Sequence, residues 1–320
     1  MTAIYLFPGQ GAPLTSADRL RISLLIQTQG PAEVLHAYLL PEQVQLLTDA
    51  AAPLPADDLL LQTAVFLASI AMWRERAADL PEIAGCAGYS SGVYAALAAG
   101  GWLSVDDALR LLFVAGRALS NLTLVPPGGM IAVIGLTEEK IHEALDGREP
   151  GFATISHFNH TRQHILAAEL CHLNELETLM KQAGAMMIAR LPANVPYHAP
   201  CTFAAVPIVS SFIDTLPFAQ SAAPLLDTAR VGWARVSSQV LIFLRDHFAR
   251  AVLWAQAVAD CLLTQEAELI EIGPGAGLTR MIRWLERSAP VRSIAEPDHR
   301  PPPPIGKHAG GAEGGEHARG

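Results

Sequence analysis

Short apolar runs alternate with longer segments of helical periodicity along most of the chain, a pattern typical of α/β proteins. Strands are predicted at 3–7, 83–89 and 268–272. Helices are predicted at 16–30, 31–49, 57–79, 91–100, 104–121, 200–215, 236–264 and 278–288. The alternation therefore predicts a large α/β domain built from both ends of the chain.

The middle of the chain has a different pattern. The sequence "PPGG" at 126–129 interrupts the apolar periodicity. Strands are then predicted at 130–136, 152–158, 163–169 and 186–192, with helices at 137–146 and 170–184. This β-α-β-β-α-β order matches the ferredoxin-like arrangement. We therefore expect a small ferredoxin-like domain at 126–193, a large domain formed by 1–125 and 194–296, and a disordered Pro/Gly-rich tail at 297–320.

Composition excludes several classes of function. The chain has 320 residues, a formal net charge of −9 and only three lysines, which argues against binding to a nucleic-acid backbone. The most apolar segment, 59–73, is too short to cross a bilayer, so no membrane span is expected. The four cysteines are far apart, and no secretory signal precedes the first strand, so we expect a cytoplasmic protein.

The sequence "GYSSGVY" at 88–94 raises the question of whether Ser90 is a nucleophile or an ordinary serine at the start of a small-residue helix. A strand-like segment precedes the motif and an Ala-rich helix follows it, which is the setting that exposes a serine hydroxyl on a sharp turn. A Cβ at Gly88 or Gly92 would be expected to clash with that turn or with the packed strand. The N-terminus of the helix would also stabilise negative charge beside Ser90.

A nucleophilic serine needs a base, and His198 is the best-placed histidine. It lies in "NVPYHAP" (194–200), an irregular segment bracketed by prolines, whereas most other histidines fall in helical patterns or in the tail. His157, His160 and His164 invite a metal interpretation, but their segment is predicted as strand–loop–strand without a sustained ligand face. We therefore expect no metal site.

Seven motifs occur in a fixed order along the chain: "FPGQGA", "GYSSGVY", "MIAVIGL", "FNHTRQHILAA", "NVPYHAP", "AVLW" and "ELIEIGPGAGLT". In that order and approximate spacing they resemble the malonyl-CoA:acyl carrier protein transacylases, over about residues 3–290. The resemblance implies an α/β-hydrolase-like large domain with an inserted ferredoxin-like small domain. It also implies malonyl-CoA as substrate, an acyl carrier protein or carrier subunit with a phosphopantetheine-type arm as partner, and no permanently bound cofactor.

The resemblance also implies roles for individual residues. Ser90 would attack the thioester, His198 would move the proton, and the backbone N–H groups of Gln10 and Ser91 would form the oxyanion hole. No triad carboxylate is expected, because the family orients its histidine with a main-chain carbonyl near "AVLW". Asn159 matches a family position in the small domain that serves structure or the acyl pocket.

Several positions depart from the family pattern. Tyr89 stands where histidine usually precedes the serine, and Val93 stands where glutamate usually follows the second glycine. The combination of the non-acidic Val93 before Tyr94 with a compact stretch between the two Gly motifs looks more like the epsilon-type subunit of malonate decarboxylase, which primes a dedicated carrier subunit, than the enzyme of fatty acid biosynthesis. Leu253, in "AVLW", occupies a substrate-site position that is often polar.

The most serious departure is Ala115, where the family usually has the arginine that binds the malonyl carboxylate. Arg117 is the nearest candidate for substrate binding. Each helical residue turns by about 100°, so Arg117 would point roughly 200° away from position 115. A local bulge or a different helix register would instead bring Arg117 into the pocket, and both geometries stay open.

Malonyl transfer from CoA to a carrier thiol is the leading hypothesis for function. A transacylase for a neutral acyl group and a catalytically altered carrier-binding subunit are alternatives, both suggested by Ala115. A serine hydrolase is a third alternative, although the sequence lacks the Asp or Glu followed by a late His that the triad of such hydrolases requires.

The segment 230–292 holds eight arginines against six acids. This segment is either a docking face for an acidic carrier or a solvated surface.

Overall fold

The computed structural model describes residues 2–220 and 222–295, and the predicted tail at 297–320 lies outside them. The strands are β1 Thr2–Phe7, β2 Glu82–Gly88, β3 Gly128–Ile134, β4 Thr154–His160, β5 Gln163–Glu169, β6 Met187–Arg190, β7 Leu225–Asp227, β8 Gly232–Ala234, β9 Glu268–Glu271 and β10 Val291–Ser293. The helices are α1 Ser16–Gln29, α2 Ala32–Tyr38, α3 Pro41–Thr48, α4 Asp58–Arg76, α5 Val93–Ala99, α6 Val105–Leu119, α7 Glu138–Leu145, α8 Leu173–Gln182, α9 Val206–Ile213, α10 Ser237–Asp246, α11 Trp254–Ala257 and α12 Gly277–Leu285.

The larger sheet has the strand order β10-β9-β1-β2-β7-β8. All its neighbouring pairs are parallel except β7 with β8. β1 is buried along almost its whole length, as expected for a strand with helices on both faces of a parallel sheet. Because the carboxyl ends of β1 and β2 lie side by side, the loops that follow Phe7 and Gly88 meet at one edge of this sheet.

Two long helices of the large domain begin with side-chain caps. α4 is buried on most sides from Leu60 to Met72, and its N-cap, Asp57, accepts a hydrogen bond from the backbone N–H of Leu60. α6 begins at the predicted N-cap Ser104, whose hydroxyl accepts from the Asp107 N–H at 3.0 Å. Its apolar face is buried against α4, α5 and α9.

The smaller sheet has the order β4-β5-β3-β6 and is antiparallel throughout. α7 and α8 close its apolar core, which includes Ile131, Leu166 and Leu176. This is the ferredoxin-like arrangement, so the predicted fold class of an α/β large domain with an inserted ferredoxin-like small domain is confirmed. All four strands fall within 126–193, although the domain boundaries themselves stay a prediction.

Some predicted elements differ in the structure. The single helix predicted at 31–49 is two helices, because Pro41 begins α3 and holds the preceding residue, Leu40, in extended conformation. The helix predicted at 236–264 is interrupted after Asp246, and the chain between α10 and α11 crosses beneath the predicted base. β7, β8 and β10 were not predicted, since three residues are too few to show an alternating pattern.

Candidate active site

Ser90 lies on a sharp turn between β2 and α5, with a backbone φ of 53° that non-glycine residues seldom adopt. The turn is possible because its flanking residues are glycines. A Cβ at Gly88 would lie 2.2 Å from the Val93 nitrogen, and a Cβ at Gly92 would lie 2.2 Å from the Phe7 carbonyl oxygen. The expected need for glycine at both positions is therefore confirmed, and the hydroxyl of Ser90 is held at the carboxyl edge of the large sheet.

The nearest base is His198, whose Nε2 lies 2.8 Å from the Oγ of Ser90. His198 also has a left-handed backbone, with φ 60°, and its N–H donates to the Phe248 carbonyl at 2.8 Å. Two residues in a costly backbone conformation thus face each other across 108 positions of sequence. Strain of this kind concentrates at functional sites.

The other ring nitrogen of His198 fixes its tautomer. Nδ1 lies 3.0 Å from the His247 carbonyl oxygen and 2.9 Å from the Arg250 carbonyl oxygen. Carbonyl oxygens only accept hydrogen bonds, so Nδ1 carries the proton and Nε2 is left to accept one from Ser90. The carbonyl that the resemblance implies is thus present in the interrupted segment before "AVLW", which begins immediately after Arg250.

Burial keeps the histidine neutral. Desolvation, followed by the neighbouring His247, lowers the pKa of His198 to about 4. The pKa of His247 is likewise lowered to about 4, chiefly by burial. At neutral pH both rings are uncharged, so His198 is in the form that can accept a proton.

The predicted oxyanion-hole residues also come together. The Gln10 N–H donates to the Ser91 hydroxyl at 3.0 Å, and a Cβ at Gly9 would lie 2.4 Å from the Tyr89 carbonyl oxygen. The loop after β1 therefore lies directly against the turn that carries Ser90. In this arrangement the Gln10 N–H already has a partner, the hydroxyl of Ser91.

A cavity of about 70 Å³ opens beside Ser90. It is lined by Gln10, Gly11, Gln62, Ser90, Met130, His157, Ile165, Leu191, Pro192, Ala193 and Tyr197. Neither lysine nor arginine occurs among these described lining residues. The cavity is thus mostly apolar, with amide, hydroxyl and imidazole groups near the serine.

The small domain supplies one wall of this cavity through β4. Val252 exchanges backbone hydrogen bonds of 2.9 Å with Ser156 and Phe158, which joins β4 to the segment just past Arg250. The His157 ring lies edge-on to the His198 ring, with centroids 4.7 Å apart. Desolvation lowers the pKa of His157 well below its usual value, so a second neutral imidazole adjoins the base.

Two of the predicted substrate-binding residues, Asn159 and Leu253, lie away from the cavity beside Ser90. Asn159 is buried behind the wall, where its Oδ1 accepts a hydrogen bond from the Tyr89 hydroxyl at 2.9 Å. Leu253 lines a different surface cavity together with Phe158 and His164. Neither residue lines the cavity beside Ser90.

Arg117 does not reach the cavity. Its guanidinium lies over the Tyr38 ring at 4.9 Å and donates to the Tyr38 carbonyl, on an exposed surface. Of the two geometries that the sequence left open, the structure has the outward one, because α6 continues without a bulge past Ala115. Arg117 therefore lies away from the cavity in this structure, and its role in substrate binding stays a prediction.

Sequence reasoning missed the residues that support the site from α4. Asp58, Gln62 and Tyr197 form a buried polar cluster around the Gln10 side chain. An aspartate at the start of a helix looks like an ordinary solvated or capping residue, so no local signal marked Asp58. Among the eight arginines at 230–292, ion pairs with carboxylates of this chain are formed by Arg230, Arg245, Arg250 and Arg292.

No protein-family model matches the chain. Curated relatives do match: the malonyl CoA-acyl carrier protein transacylases of Haemophilus influenzae, 27% identical over 242 residues, and of Salmonella typhimurium, 25% identical over 240 residues. These alignments cover 73% and 74% of this chain, and 77% of each relative.

Solved structures show the same relationship. An acyl carrier protein S-malonyltransferase from Vibrio cholerae matches with a TM-score of 0.78 and 26% identity, covering 92% of this chain and 96% of that one. The chain is similar to the malonyl-CoA:acyl carrier protein transacylases in sequence and in fold. A further neighbour of this family, 23% identical with a TM-score of 0.78, was solved in complex with a type II polyketide synthase acyl carrier protein. None of the helices in the described ranges has the length and apolarity that a bilayer span requires.

Proposed function

We propose that the protein is a malonyl-CoA:acyl carrier protein S-malonyltransferase that works through an acyl ester on Ser90. The observation that carries the proposal is the 2.8 Å contact between Ser90 Oγ and a neutral His198. The ordered motifs and the similarity to transacylases over most of the chain support the same activity. Malonyl-CoA would be the donor, and the phosphopantetheine thiol of a carrier protein the acceptor.

The first half-reaction uses the dyad in its resting protonation state. Ser90 Oγ attacks the thioester carbonyl while its proton passes to His198 Nε2. The carbonyl oxygen becomes an oxyanion, which accepts hydrogen bonds from the N–H groups of Gln10 and Ser91. Because the Gln10 N–H donates to Ser91 Oγ in the free protein, the oxyanion must take over that hydrogen bond. The C–S bond then breaks, and the CoA sulfur receives the proton from His198.

The second half-reaction runs the same steps with a different thiol. The carrier thiol gives its proton to His198 and attacks the ester carbonyl. The C–O bond breaks, and Ser90 Oγ recovers the proton from His198. The carbonyl groups of His247 and Arg250 hold the imidazolium in place during both steps, since Nδ1 keeps its proton throughout.

Acid-quenched labelling tests the intermediate. After mixing with malonyl-CoA, we expect one acyl group, located on Ser90 by intact mass and peptide mapping. Ser90→Ala should not be labelled, whereas Ser91→Ala is the neighbouring-serine control and should be. A wild-type protein that stays unlabelled with malonyl-, acetyl- and methylmalonyl-CoA would overturn the proposal and favour a carrier-binding subunit.

The cavity lining favours a second candidate, a transacylase for a neutral acyl group. Neither lysine nor arginine lines the described cavity, and an unpaired carboxylate is costly to bury. Competition between malonyl-CoA and acetyl-CoA in the same labelling experiment separates the two candidates. A preference for malonyl supports the first, and a preference for acetyl supports the second.

A further inference from the structure

A buried carboxylate lies behind the cavity wall and takes no part in the reaction steps above. Asp58 is the first residue of α4, and it is only 5% exposed. Burial raises its pKa, which is the usual effect of removing a carboxylate from water. An ionised group in this position needs hydrogen-bond donors around it, and their identity indicates what it does.

The donors to Asp58 come from the two loops that form the candidate active site. From the oxyanion loop, the Gln10 Nε2 donates to Oδ1 at 3.0 Å. From the loop that carries the base, the Asn194 N–H donates to Oδ2 at 2.9 Å, and the Tyr197 hydroxyl donates to Oδ2 at 3.0 Å. The side-chain amide of Asn194 adds a longer contact of 3.4 Å to Oδ1. All of these donors are neutral.

Tyr197 immediately precedes His198, and the N–H of Gln10 is one of the proposed oxyanion donors. Gln10 is held further by Gln62, one turn along α4 from Asp58, whose Nε2 donates to the Gln10 Oε1 at 2.9 Å. The loop that carries Gln10 and the loop that carries His198 are therefore both hydrogen-bonded to the N-terminus of α4. Hydrogen-bonded support of this kind fixes catalytic groups to the accuracy that the reaction needs.

We propose that Asp58 is a positioning residue, whose carboxylate joins the oxyanion loop to the base loop and so sets the distance between the oxyanion donor and the Ser90–His198 pair. The assignment rests on the proposed acyl-serine mechanism for its effect on acyl transfer. The hydrogen bonds through which Asp58 joins the two loops are the same whichever acyl group is transferred.

Asp58→Asn is the most direct test, because asparagine has nearly the same shape but offers one carboxylate-like oxygen instead of two. The donors of one loop must then lose their acceptor at position 58, although Gln10 Nε2 keeps the Pro192 carbonyl oxygen, to which it donates at 2.6 Å. We expect the single-turnover rate constant for acylation of Ser90 to fall about 10- to 100-fold at saturating acyl-CoA, because small misplacements of reacting groups have effects of this size. The KM should change by less than about two-fold, since Asp58 does not line the cavity.

Asp57→Asn is the matched control. Asp57 adjoins Asp58 and caps the same helix, but the described contacts of its side chain are with the helix N-terminus rather than with either loop. Asparagine also caps helices well, so this variant removes a neighbouring charge and should keep wild-type acylation. If both variants slow acylation equally, the effect is one of charge or helix stability, and the proposal fails.

A second readout separates this inference from the proposed function. A fluorophosphonate reports the reactivity of the Ser90–His198 pair without any acyl-CoA, and Asp58→Asn should slow its labelling of Ser90 by a similar factor. Slower labelling in a protein that transfers no malonyl group would support the positioning role and overturn only the proposed function. Wild-type labelling and acylation rates in a folded Asp58→Asn protein would overturn the positioning role.

Two further variants complete the test. If Asp58→Asn fails to fold, Asp58→Ser, which keeps a small polar side chain at the first position of α4 but cannot bridge the two loops, takes its place with the same expected loss. Gln10→Ala keeps the backbone N–H and removes the side-chain anchor. If Asp58 acts through Gln10, the double variant Gln10→Ala/Asp58→Asn should be less than additive, and full additivity would contradict the proposed route.

Discussion

The acid dependence of acylation offers a quantitative test of the base. Burial lowers the pKa of His198 to about 4, well below the value of an unperturbed histidine. The neutral form accepts the serine proton, so the rate follows the neutral fraction. Lowering the pH therefore reduces the rate only when the pH approaches the depressed pKa.

The size of the effect follows from the two protonation curves. With a pKa of about 4, His198 is about 97% neutral at pH 5.5 and fully neutral at pH 8. A histidine with a pKa of about 6.5 would be about 9% neutral at pH 5.5 and 97% neutral at pH 8, a drop of about ten-fold. The structure thus predicts a nearly constant rate over this range, with a decline starting below about pH 5.

The assay is the kcat/KM for acylation of Ser90, which reports the ionisation of the free enzyme. Malonyl-pantetheine should replace malonyl-CoA as donor, because it lacks the CoA phosphates that titrate in the same range. Circular dichroism at each pH shows whether the protein stays folded. A ten-fold loss of kcat/KM between pH 8 and pH 5.5 in folded protein would refute the account of a buried, neutral base.

Three substitutions give further predictions. His198→Ala should lower the acylation rate by about 10²- to 10⁴-fold with folding retained, and near-normal acylation by this variant would assign the base elsewhere, with His157 the next residue to test. Arg117→Ala should leave the ratio of malonyl to acetyl labelling within about two-fold of wild type, because its guanidinium lies on Tyr38; a lost malonyl preference in competition labelling would contradict this position. Gly92→Ala should destabilise the protein by about 1–3 kcal/mol in urea unfolding, because its Cβ would meet the Phe7 carbonyl, whereas Gly232→Ala, with no atom near its Cβ, should not.

The pair Ser90 and His198 could be predicted from the sequence because each carries a local signal. Ser90 has glycines on both sides between a strand and a helix, and His198 lies between prolines outside regular structure. The outward position of Arg117 also follows from local geometry, since a regular helix rotates about 100° per residue and α6 is regular there.

The groups that hold Gln10 and His198 in place do so through tertiary contacts, which produce no local pattern in the sequence. Asp58 and Asn194 are 136 positions apart, and the hydrogen bond between them exists only once the whole fold is formed. The two carbonyls that hold His198 lie in a segment that helical periodicity assigns to one long helix at 236–264. The interruption of that helix became visible only in three dimensions.

Transfer of the acyl group from Ser90 to a carrier protein is the decisive experiment for the acyl-serine mechanism. The protein would be acylated with radiolabelled malonyl-CoA, freed of CoA by gel filtration, and mixed with a carrier protein that bears its phosphopantetheine arm. We expect the label to leave Ser90 and to appear on the carrier thiol, at a rate at least equal to the overall turnover. Label that stays on Ser90, or that is released as free malonate while the carrier remains unlabelled, would contradict it.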